Sequence, residues 1–139
     1  MSRERLVGVN HVALGVDDVD AAVEFYESVF EFPLNRIPGG AFLGMGDQFL
    51  ALFEHGGEEP HFGLVVPDKE AVRRRLAEVG AELPGGRFLD FRDPFGNRVQ
   101  VVQYDEIQFT KAPSVLRGMG LALGKSEQAL AELRGKGLA

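Results

Sequence analysis

The stretches HVALGVDD (His11–Asp18) and HFGLVVPD (His61–Asp68) carry histidine, leucine, valine and aspartate at matching places, fifty residues apart. A histidine heads each. Imidazole changes charge near neutral pH and, when neutral, is a common metal ligand. A lone histidine on a strand is more often a structural residue than a ligand. Two at symmetry-related positions argue for one shared site, and the elements around them must then bring both rings to it.

Several other chemistries are excluded or unsupported. The chain has 139 residues and no cysteine, so disulfides, thiolate metal sites and cysteine nucleophiles are ruled out. No glycine cluster has a phosphate-cradling spacing, and no Ser/His/Asp spacing suggests a nucleophilic triad. The formal net charge of −6 disfavours phosphate backbones, so nucleic acid is not an expected partner. No apolar run approaches the ~18 residues of a membrane span, and the N-terminus lacks the apolar core of a secretory signal. A cytoplasmic location with no membrane partner is expected.

The repeat extends beyond the two histidines. Leu6–Val16 has the β-branched and aliphatic content of a strand. Asp17 or Asp18 can cap a following helix, with Ala22, Tyr26, Val29 and Phe30 expected on its inner face. Turn signals at PGG and GMGD divide residues 34–53 into three short strands. EHGGEEP (Glu54–Pro60) reads as a linker. The pattern then restarts as strand, Asp68 cap, and a helix with Val72, Leu76 and Val79 inward and Gly80 at its stop. The DPFGN turn leads into a last strand, RVQVVQY. Arg73–Arg75 read as a solvated face paired with Glu70 and Glu78. His11/His61, Leu14/Leu64, Val16/Val66, Asp18/Asp68, Ala21/Ala71 and Val29/Val79 all match at one offset. The fold expected is α+β: two βαβββ modules (about 6–54 and 61–105) forming a curved mixed sheet around a cleft. Residues 106–139 form a C-terminal extension with one short helix, capped by Ser126 and with Ala129, Leu130 and Leu133 inward.

The stretches HVALGVDDVDAAVEFY and RDPFGNRVQ, in a repeated βαβββ frame, resemble the vicinal oxygen chelate superfamily. It includes glyoxalase I, the bleomycin-resistance binding proteins, fosfomycin-resistance transferases and extradiol dioxygenases. The resemblance covers residues 6–105. It implies a divalent metal ion (Fe, Zn, Ni or Mn) held by residues of the first and last strand of each module. By position these are His11, His61 and Gln100. The fourth position falls on Ala51, or on Leu50 by the offset from Gly46 and Gly96, and neither side chain binds metal. A bulge could instead bring Gln48 or Glu54 into play. Tyr104 shares the strand face of Gln100 and is a candidate for substrate contact at the cleft mouth.

The resemblance thus implies a metal-dependent enzyme in which the ion chelates two oxygens of a small-molecule substrate, dioxygenase-like or lyase-like. Glyoxalase I proper is disfavoured, because both acid positions lack an acid. A fosfomycin-type transferase is also disfavoured, because it is expected to carry the same acid and a cation-binding loop, and the sequence shows no such loop. The alternative is a non-catalytic small-molecule binding protein of the bleomycin-resistance type. A homodimer is expected in either case.

Overall fold

The computed structural model describes residues 3–138. The first module runs β1 (Gly8–Val16), α1 (Val19–Val29), β2 (Leu34–Ile37), β3 (Gly40–Met45) and β4 (Gln48–Glu54). The second runs β5 (His61–Val66), α2 (Lys69–Glu78), β6 (Leu89–Arg92) and β7 (Arg98–Gln103). All seven strands join one curved, open mixed sheet in the order β2-β3-β4-β1-β5-β7-β6. Within each module the first strand lies parallel to the last, β1 with β4 and β5 with β7. Between modules β1 and β5 run antiparallel.

Both helices start where an aspartate can hold the orphan backbone donors. Asp18 accepts from the Ala21 N–H at 3.1 Å, and Asp68 from those of Glu70 and Ala71 at 3.0 and 3.3 Å. The inner face of α1 is Val19, Val23 and Tyr26, packed with Ala41, Leu43 and Leu52. Val29 and Phe30, expected inward, are exposed because the helix ends there and the chain turns away. In α2, Val72 and Leu76 pack on Val66, Leu89 and Val101. Val79 is exposed: it is the C-cap, one step past the helical run, and Gly80 follows at φ +71°. The Arg73–Glu70 and Arg75–Glu78 pairs form at 3.1 and 3.2 Å.

The second module departs from the first in one element. Its first meander strand shrinks to a single bridge between Glu82 and Arg92. Pro84, Gly85 and Gly86 follow at once; proline has no N–H to donate, and both glycines take positive φ.

The extension holds two short helices rather than one: α3 (Pro113–Gly118) and α4 (Glu127–Gly135). Pro113 starts α3 at a position where a missing N–H costs nothing. Ser126 caps α4 as expected, and Ala129 and Leu133 are buried. Phe109 and Leu116 pack with Val7, Val65 and Tyr104. Val65 shares the strand face of His61 and Gly63, so the extension folds over one end of the cleft face.

Candidate metal-binding cleft

The junction of β1 and β5 determines where the two imidazoles sit. His11 pairs with Gly63, and Ala13 pairs with His61. Each half of this pairing is the image of the other under the fifty-residue offset. Strand alternation then puts His11, Ala13, His61 and Gly63 on one face. Each ring lies beside a small partner, and the rings meet with centroids 5.1 Å apart and planes at 80°. Gly63 is required: a Cβ there would overlap the His11 ring and Asn10 Oδ1.

Both rings are held from behind. His11 Nδ1 lies 2.8 Å from Asn10 Oδ1, and His61 Nδ1 lies 2.8 Å from the Glu59 carbonyl oxygen. Each oxygen can only accept, so each Nδ1 carries the proton and each Nε2 presents a lone pair. Such a tautomer lock is the usual support behind a metal-ligating histidine. The His11 ring also stacks on Phe49, with centroids 4.9 Å apart and planes within 3°. Burial, then the neighbouring His61, pushes the His11 pKa down to about 4, while Gln100 and Asp90 pull the other way. At neutral pH His11 is therefore an uncharged donor.

Gln100 is buried on β7, directly across from Gly63 on β5, and its side chain reaches the His11 imidazole. The register also identifies the fourth position. Ala13 faces Ala51 as Gly63 faces Gln100, so Ala51, not Leu50, is the counterpart of Gln100. The β1–β4 pairing runs without a bulge through Ala51. Gln48 donates to the Val9 carbonyl at 3.0 Å, and Glu54 is exposed at the strand end. Neither lines the histidine cleft.

That cleft encloses about 590 Å³. Phe42, Phe49, Phe53 and Phe88 give it apolar walls, and His11, His61, Gln100 and Asp90 give it polar groups. A second cavity of about 550 Å³ adjoins it, sharing Asn10, Phe42 and Phe49, with Ile107 and Phe109 of the extension on its far side. Tyr104 lines neither cavity. It is buried in a short 3₁₀ turn under the extension, where its hydroxyl accepts from the Lys111 N–H at 3.3 Å.

Asp90 and Asn10 were not singled out from the sequence. Asp90 lies opposite Gln100 on β6 and is 4% exposed. Its Oδ2 accepts from Arg98 Nε at 2.6 Å and Nη2 at 2.5 Å, and Arg98 in turn reaches Glu58 at 2.9 Å. A repeat comparison could not reveal Asp90, because the matching residue of the first module is Gly40. Asn10 precedes His11, and its counterpart before His61 is Pro60.

Among the described residues, no group of three or more His, Asp or Glu is placed to hold a metal. The candidate donor set is instead two imidazole nitrogens and one amide oxygen. That set fits a borderline divalent ion, for which imidazole is a suitable ligand.

These features define an α+β protein of paired βαβββ modules with a two-histidine cleft at the module junction. The family model of the Glyoxalase/Bleomycin resistance protein/Dioxygenase superfamily matches residues 8–101, and the chain belongs to that superfamily. A metallothiol transferase FosB of Shouchella clausii (strain KSM-K16) is 32% identical, over 68% of this chain and 78% of the relative. Among solved structures, a methylmalonyl-CoA epimerase of Streptomyces coelicolor matches 71% of this chain and 98% of its own, with TM-score 0.55 and 20% identity. The Mn(II)-bound glyoxalase of Novosphingobium aromaticivorans matches 73% of this chain and 40% of its own, with TM-score 0.62 and 18% identity. A catechol 2,3-dioxygenase matches 76% and 41%, with TM-score 0.63 and 13% identity. At such identities these structures speak for the shared fold.

Proposed function

We propose that the protein is a metal-dependent enzyme acting on a small molecule, with His11, His61 and Gln100 as the metal donors. The observation that carries this reading is the paired tautomer lock: Asn10 and the Glu59 carbonyl each fix a proton on Nδ1 and leave Nε2 of both rings unprotonated. The names of the relatives, a metallothiol transferase and a Mn(II)-bound glyoxalase, support a divalent ion. Bound there, it would act as a Lewis acid toward two neighbouring oxygens of the substrate.

The remaining roles belong to this chain. Phe42, Phe49, Phe53 and Phe88 pack the apolar part of the ligand and exclude water from the polar floor. Neutral donors leave the ion more Lewis-acidic than a carboxylate would. Neither Ala51 nor Gln100 can shuttle a proton, so glyoxalase I chemistry is disfavoured and dioxygenase-like or lyase-like chemistry is preferred. The transferase relative adds group transfer to the reactions worth assaying. A cytoplasmic homodimer, which sizing chromatography would check, belongs to the same reading.

A second reading, non-catalytic sequestration of an apolar ligand, is favoured by the phenylalanine walls and by Ala51 at the fourth position. Elemental analysis of protein purified without added metal, followed by water-proton relaxation of the Mn(II)-loaded form, separates the two. A resident divalent ion with exchangeable water supports the enzyme; metal-free protein that takes up no ion leaves the container.

A further inference from the structure

We propose that Asp90 is a positioning residue that orients the Gln100 amide as a metal ligand. The inference rests on the reading of His11, His61 and Gln100 as donors to one ion. Asp90 and Gln100 face each other across the antiparallel β6–β7 pair, 4% and 7% exposed. Directly opposed side chains on one face stand about 5 Å apart at Cβ, within reach of a short hydrogen bond between a carboxylate and an amide.

Asp90 is half satisfied. Arg98 holds Oδ2 through two donors. Oδ1 is buried and has no donor among the described residues. A buried carboxylate oxygen left without a donor costs free energy, and folded proteins rarely keep one without a use. Among the described residues, no other histidine or acid is placed to make Asp90 part of a three-member metal site. The facing side chain, Gln100, has two N–H donors and a single oxygen. If Gln100 Nε2 donates to Asp90 Oδ1, its Oε1 is committed to the opposite side, toward the cleft that His11 and His61 line. The amide then cannot flip, and the carboxylate polarises its oxygen. A neutral ligand with a charged partner behind it thereby recovers part of the donor strength that an acid at position 100 would supply.

The chain Glu58–Arg98–Asp90–Gln100 thus runs from the cleft rim to the metal donors. Arg98 also keeps Asp90 from competing for the ion.

The test is a double-mutant cycle on Zn(II) affinity, measured on the full chain against a competing chelator, for wild type, Asp90→Asn, Gln100→Glu and the double variant. Asp90→Asn cannot accept from the amide while Arg98 holds its oxygen, so it should weaken Zn(II) binding 10- to 100-fold. With Glu at position 100 there is no amide to orient, and the same substitution should change affinity less than threefold. Equal losses in both backgrounds, or no loss with Gln100 present, would overturn the proposal. A wild type that binds no Zn(II) would instead remove the metal reading, and this inference with it. A readout that needs no variant is the Gln100 side-chain amide in NMR spectra. On Zn(II) addition one of its protons should move downfield and exchange slowly; an unmoved, fast-exchanging amide contradicts the proposal.

Discussion

The rings of His11 and His61 sit edge to face with centroids 5.1 Å apart, although fifty residues separate them in the chain. The contact follows from the antiparallel β1–β5 junction, in which each histidine lies diagonal to the other and beside a residue with little or no side chain. The consequences that follow concern what holds those rings and what they can hold.

Gly63 is the most sensitive position in the junction. A methyl group there would overlap Asn10 Oδ1 and the His11 ring, so the hydrogen-bonded pair would have to shift. Gly63→Ala should destabilise the protein by about 1–3 kcal/mol, the usual cost of overpacking a filled site. Urea unfolding measures it. A neutral effect would mean that the ring is free to leave.

Asn10 is predicted to set the His11 tautomer. Asn10→Ala removes the acceptor on Nδ1 and should let both neutral tautomers populate, visible in ¹⁵N imidazole shifts. Metal affinity should fall 10- to 100-fold, the usual effect of losing the group that orients a histidine ligand. Stability should fall by only about 1 kcal/mol. An unchanged tautomer would assign the lock to another group.

By register Ala51 stands in the first module where Gln100 stands in the second, and it lines the same cleft. Ala51→Glu places a carboxylate in the cleft, where without a cation it is buried and uncompensated. The variant should melt below wild type without metal and gain more than wild type on adding Zn(II). A melting temperature insensitive to metal would show that position 51 does not face the ion.

Lys125 secures the extension. Its ammonium donates to the carbonyls of Tyr104, Ile107 and Phe109 and lies over the Tyr104 ring. Burial pushes its pKa down to about 8 from an ordinary value of 10.5, against the pull of Asp105 and Asp47. Between those values the unfolded chain binds more protons than the folded one, so stability rises with pH across that window. Below about pH 8 both states are protonated and the term is constant. Lys125→Met should cost roughly 1–3 kcal/mol near pH 7 by stranding carbonyls. The stability difference in favour of wild type should widen from pH 8 upward; a flat difference would contradict the shift.

Much of this arrangement was legible in the repeat. The fixed offset exposed both modules, the aspartate caps and Ser126 fell where the helix ends needed them, and the two histidine rings meet across the module junction. What stayed hidden depended on contacts between distant segments. The face of Tyr104 was read by extending strand alternation from Gln100, but β7 ends at Gln103 and a 3₁₀ turn carries Tyr104 under the extension. Val29 and Val79 match in the repeat, yet both lie at helix ends and are exposed. Asp90 sits in an ordinary strand pattern, and its importance comes from Arg98 and Gln100, which only β6–β7 pairing brings beside it. The Asn10 lock depends on local irregularity, because the β1–β5 register shifts between Val9 and His11.

The central claim is that His11 and His61 hold one cation between them. Its most direct test is the Zn(II) binding stoichiometry and affinity of chelator-stripped protein, compared with His11→Ala and His61→Ala. The account predicts one tightly held ion per chain and a loss of at least a hundredfold in affinity in either variant. A wild type that binds no ion, or two variants that bind as tightly as wild type, would contradict it.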